Sequence, residues 1–104
     1  MFGEKLIPMS ETAETVTELT ANSRGVWLVT TQGSTHVWDL DAWTYERRPG
    51  SGRSQFIGDS SPQPIWDVKV FPRVGHSFYV ELDDTATQIQ FRISTEVVRI
   101  ERLS

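Results

Sequence analysis

The sequence predicts an all-β domain, and three observations carry that prediction. From Gly25 onward, segment after segment alternates apolar and polar residues with period two. Turn-forming residues punctuate these segments at short intervals. No window carries an apolar stripe at helical spacing. Six to seven short strands suit a small antiparallel barrel or a compact sandwich, and the short connections favour antiparallel pairing. With 104 residues there is room for one domain.

In chain order, residues 1–23 are low in apolar content and hold Glu4, Glu11, Glu14 and Glu18 against Lys5. They are expected to form a flexible acidic tail, with 24–104 as the single all-β domain. A short strand over Glu14–Leu19 is the alternative, and Met9 is a second candidate start. Val26–Thr31 is β-branched and aromatic, and Thr35–Asp41 follows it across Gln32-Gly33. A two-residue primed turn there, with glycine accepting positive φ, pairs Val29 with His36 and Trp27 with Trp38. A turn at Asp41-Ala42 leads into Trp43–Arg48 and places Tyr45 beside Trp38. The row Trp27, Trp38, Tyr45 is either core or an aromatic ligand platform, and core is the plainer reading.

Ten of the sixteen residues from Pro49 to Pro64 are Gly, Ser or Pro, which marks a long loop. Phe56 and Ile57 within it either pin the loop to the body or face a partner. Ile65–Phe71, Phe78–Leu82 and Thr87–Ile93 read as further strands. In the last of these Ile89, Phe91 and Ile93 share one face, and Gln88, Gln90 and Arg92 the other. Glu96–Leu103 closes the domain, with Val98 and Ile100 on one face and Val97 and Leu103 on the other. If that strand stays unpaired, it is an edge for a second copy and the protein is a homo-oligomer.

Chemistry is sparse. There is no cysteine, hence no disulfide, zinc ribbon or thiolate nucleophile. The net charge of −4 disfavours a protein that coats DNA. No apolar run approaches the roughly 18 residues of a membrane span. The polar start lacks a secretory signal, which points to the cytoplasm. Asp39 and Asp41 share a strand face and, with Asp83 and Asp84, are the one candidate cation cluster; an aspartate-initiated turn is the plainer reading. His36 and His76, each near a serine (Ser34, Ser77), read as ordinary turn or surface histidines rather than catalytic bases. Arg47, Arg48 and Arg53 flank Pro49-Gly50-Ser51-Gly52, a setting for phosphate or single-stranded nucleic acid if they cluster with Arg73. No motif implies a cofactor or a metal.

Val26-Trp27-Leu28-Val29-Thr30-Thr31-Gln32-Gly33-Ser34, with Asp39-Leu40-Asp41, and Ile93-Ser94-Thr95-Glu96-Val97-Val98-Arg99-Ile100-Glu101 have a family look. Together they resemble short β-rich proteins of actinobacteria and their phages that carry no assigned activity. The resemblance implies a small accessory protein and transfers no site residue. The expectation is therefore a non-catalytic binding or assembly module with a protein partner. It acts through a sheet edge, the aromatic row or the 49–64 loop. Trp27, Trp38, Tyr45, Arg47, Arg48, Arg53 and Phe56 are its candidate binding residues. A nucleic-acid-binding small barrel using the arginine loop is the first alternative. A small hydrolase or metal-dependent enzyme is the second.

Overall fold

The computed structural model describes residues 14–50, 59–83 and 89–104. Among them the chain forms eight strands and no helix. These are β1 (Thr15–Val16), β2 (Val26–Thr31), β3 (Ser34–Asp39), β4 (Thr44–Pro49), β5 (Gln63–Val70), β6 (Tyr79–Asp83), β7 (Ile89–Ile93) and β8 (Val97–Arg102). All pair antiparallel in one open sheet, ordered β1-β8-β2-β3-β4-β5-β6-β7. The seven expected strands are present, and β1 is an eighth.

The first two registers follow the sequence. Trp27 pairs with Trp38, Val29 with His36, and Trp38 with Tyr45. The turns differ from expectation. Neither Gln32 nor Gly33 is among the residues with positive φ, so the β2–β3 turn is not of the primed type. It is held from outside instead: the Thr31 hydroxyl donates to the Ser34 carbonyl (3.2 Å), and Gly50 N–H donates to the Gly33 carbonyl (3.2 Å). In the β3–β4 connection the left-handed residue is Trp43, at φ 63°. Asp39 Oδ1 accepts from Asp41 N–H (3.0 Å) and Ala42 N–H (2.8 Å), an aspartate-initiated turn.

β5 curls the sheet. Gln63 and Pro64 pair with β4, then irregular pairing between Ile65 and Val70 carries the strand onto β6. The tail boundary moves. Thr15–Val16 pairs with β8, Leu19 N–H donates to the Pro72 carbonyl (2.9 Å), and the Leu19 side chain is buried. The segment from Glu14 to Ser23 therefore belongs to the body, because Leu19 supplies core that the remaining strands leave open. Residues 1–13, the rest of the expected tail, lie outside the described residues.

β8 lies between β1 and β2, so it is an inner strand and not the edge expected for a second copy. An irregularity opposite Thr30 and Thr31 shifts its register. The bulge lets Val97 and Ile100 both point inward while Val98 points out, against the simple alternation. The core comprises Leu19, Trp27, Val29, Trp38, Leu40, Tyr45, Ile65, Phe78, Val80, Leu82, Val97 and Ile100. Trp38 sits edge-to-face on Phe78 (5.1 Å) and Tyr45 (5.6 Å). Its indole N–H has no hydrogen-bond partner among the described residues.

Candidate functional site

Two places stand out: a polar cleft lined by residues of β2, β3, β4 and β7, and the outer edge of β7, which pairs with β6 alone among the described strands. His36 forms the floor of the cleft. Its position opposite Val29 puts it on the core face, so it is buried at 3% exposure and is not the surface histidine expected. Its ring lies edge-on to Phe78 (4.9 Å). Nδ1 is 2.8 Å from the Tyr45 hydroxyl and Nε2 is 3.4 Å from Thr31 Oγ1. Thr31 has one proton and donates it to the Ser34 carbonyl. His36 therefore donates from Nε2, and Tyr45 donates to Nδ1. This tautomer satisfies each donor in the chain with a neutral ring.

Burial first, and the nearby Arg47 charge second, lower the His36 pKa to about 3. Burial likewise pushes the Tyr45 hydroxyl well above its usual range, against the Arg92 and Arg47 charges. Thr31, His36 and Tyr45 thus form a hydrogen-bonded network that orders the floor of the cleft. The cleft encloses about 200 Å³, and Arg47, Arg92, Ser94 and Thr95 complete its walls.

The sequence-derived site residues separate. Trp27, Trp38 and Tyr45 are buried in the core, the plainer of the two expectations, and of the three only Tyr45 lines the cleft. Trp27 Nε1–H donates to the Arg24 carbonyl (2.9 Å), and the Arg102 guanidinium lies over the ring (5.3 Å). Arg47 turns inward and pairs with the buried Asp59 carboxylate, whereas Arg48 points out beside Glu46 (2.9 Å). Adjacent strand residues face opposite sides, so these two arginines cannot form one basic surface. Arg53, Phe56 and Ile57 lie outside the described residues. Asp41 Oδ1 accepts from Gly25 N–H (3.0 Å), so both Asp39 and Asp41 serve turns. His76 is exposed in the turn after Gly75, whose φ is +91°. Among the described residues no three His, Asp or Glu side chains gather as a metal site, and Asp84 lies outside them. No helix among them is long and apolar enough to cross a membrane.

The edge of β7 is the feature that sequence reasoning missed. From Gln90 to Ile93 it alternates as expected, but the apolar residues Phe91 and Ile93 point outward. Phe91 and Ile93 are 57% and 60% exposed, while Gln90 and Arg92 sit opposite the core residues Leu82 and Val80. The signal in the sequence is the polar face itself: Arg92 fits the polar cleft, and no apolar core has room for it. Val70, Tyr79 and Ile93 lie side by side across β5, β6 and β7, and the Phe91 ring touches Tyr79 (5.8 Å). The result is a contiguous apolar patch on the outer face.

The edge is also polar in the backbone sense. Ser94 N–H donates to the Phe78 carbonyl (3.1 Å), which turns the backbone groups of even-numbered residues toward β6. The amides and carbonyls of Ile89, Phe91 and Ile93 then point away from it. Arg92 Nη1 donates to the Phe91 carbonyl (3.0 Å), as that direction requires. Among the described strands β7 pairs with β6 alone. It carries no proline or lysine, two of the usual blocks on edge pairing. Comparison with protein-family models, curated proteins and solved structures gives no match for this chain.

Proposed function

We propose that the protein is a non-catalytic assembly module that takes an extended segment of a partner protein onto the β7 edge. The observation behind this reading is the coincidence of outward backbone groups with an outward apolar face on one strand. Strand addition uses both: main-chain hydrogen bonds give affinity, and alternate side chains give selectivity.

The nucleic-acid alternative rests on clustered arginines, and Arg47 and Arg48 lie on opposite faces beside acids. The test is capture of partners from a cell lysate by wild type and by Ile93→Pro. That substitution removes one outward N–H and leaves the β6–β7 bonds in place. Partners that wild type retains after nuclease treatment, and that the variant loses at unchanged melting temperature, support edge addition. Retention by both proteins overturns it.

A further inference from the structure

Strand β7 reads Ile89-Gln90-Phe91-Arg92-Ile93, a sequence almost the same in both directions. We infer that the segment β7 accepts is β7 of a second copy, antiparallel about a two-fold axis through Phe91. This deepens the proposed edge-addition reading and rests on it. The argument begins with the backbone. Outward groups occur at residues 89, 91 and 93, so a partner strand must place its own outward residues opposite these. With the axis at Phe91, residue 91 faces residue 91 and residue 89 faces residue 93 of the second copy. Every outward amide and carbonyl of the strand then has a partner. Moving the axis by one residue to either side leaves an end pair of each strand without one.

The side chains favour the same register. Phe91 meets Phe91 of the other copy on the outer face, beside Ile93 and Tyr79. On the inner face Gln90 lies opposite Arg92 of the other copy, so the two guanidiniums are not opposed. A two-fold axis makes the contact self-complementary and closed, so it stops at two chains. The Arg92 bond to the Phe91 carbonyl does not block it, because a carbonyl oxygen accepts two hydrogen bonds. One five-residue pairing is a small interface. The association is therefore weak, with Kd on the order of micromolar or above.

The test begins with sedimentation velocity over a wide concentration range on the full chain. Wild type is expected to shift toward dimer. Ile93→Pro loses a bond in each half of the contact and should raise Kd about tenfold or more. Phe91→Asp, which leaves the backbone bonds in place, opposes two carboxylates across the axis and should also dissociate the dimer.

The register is read from disulfides, since the chain has no cysteine of its own. Gln90→Cys mixed with Arg92→Cys should give a mixed disulfide dimer, and neither variant alone should do so. A wild-type monomer throughout overturns the second copy as occupant, while lysate capture lost in Ile93→Pro would still uphold edge addition. A dimer that ignores both Ile93→Pro and Phe91→Asp places the contact elsewhere and overturns the inference. A dimer sensitive to both, in which each cysteine variant links best to itself, overturns the axis at Phe91.

Discussion

A buried imidazole must find a partner for each nitrogen or strand a polar atom in the core. His36 finds Tyr45 and Thr31. Tyr45→Phe removes the proton that Nδ1 accepts while keeping the ring, and should cost about 1–3 kcal/mol in denaturant unfolding. His36 also makes stability depend on pH. Its folded pKa of about 3 lies below the unfolded 6.5, so between these values unfolding takes up a proton. The His36 contribution is complete above pH 6.5 and falls by about 1.4 kcal/mol per pH unit as the pH drops toward 3. Imidazole resonances of His36 that stay unprotonated down to pH 4 would bear this out; titration near pH 6 would refute it. The sequence reasoning missed the burial of His36, although the register it gave, opposite Val29 and on one face with Trp38, is what puts the imidazole on the core face. The neutral tautomer was not legible, because it depends on a tyrosine hydroxyl one strand away and a backbone carbonyl beyond Thr31.

Among the elements, the hairpin β2–β3–β4 was legible because its pairs are local and its turns short. Its second turn hangs on one carboxylate. Asp39→Ala strips the acceptor from two backbone amides and should lower unfolding stability by about 1–2 kcal/mol, read from thermal or urea melts. An unchanged midpoint would mean that water replaces the carboxylate. β8 and β7 were less legible, for different reasons. In β8 a bulge resets the alternation between Val97 and Ile100, and period-two reading cannot see an inserted residue. In β7 the alternation is regular, but alternation alone does not say which face is inside. That choice was made by the cleft, whose polar walls take Arg92 and leave Phe91 and Ile93 to the outside.

For the molecule as a whole, the strand order could not be read from the chain, since β8 returns across the sheet to join β1 and β2. The same return ties in the Glu14–Ser23 segment. Arg102 N–H donates to the Glu14 carbonyl (2.8 Å), and Val74 N–H donates to the Thr17 carbonyl (2.8 Å). Leu19→Ala should cost about 2–5 kcal/mol, as for other buried leucines, and should raise amide exchange in β1 before the rest of the sheet. A melting temperature within a degree of wild type would return the segment to the status of a loose tail. The proposed site was only half legible at this scale: the alternation offered β8 as an open edge, whereas β8 is an inner strand and β7 is an outer one, and only the strand order decides between them.

The placement of β8 has a consequence for how the protein is made. β2 is synthesised before β3 to β7, yet β8, which covers one of its sides, is synthesised after them. At roughly 5–20 residues per second, a ribosome leaves that side of β2 open for seconds. During that interval the nascent chain presents Trp27 and Val29 on a strand paired with β3 alone, so β2 is most exposed to misassembly before β8 arrives.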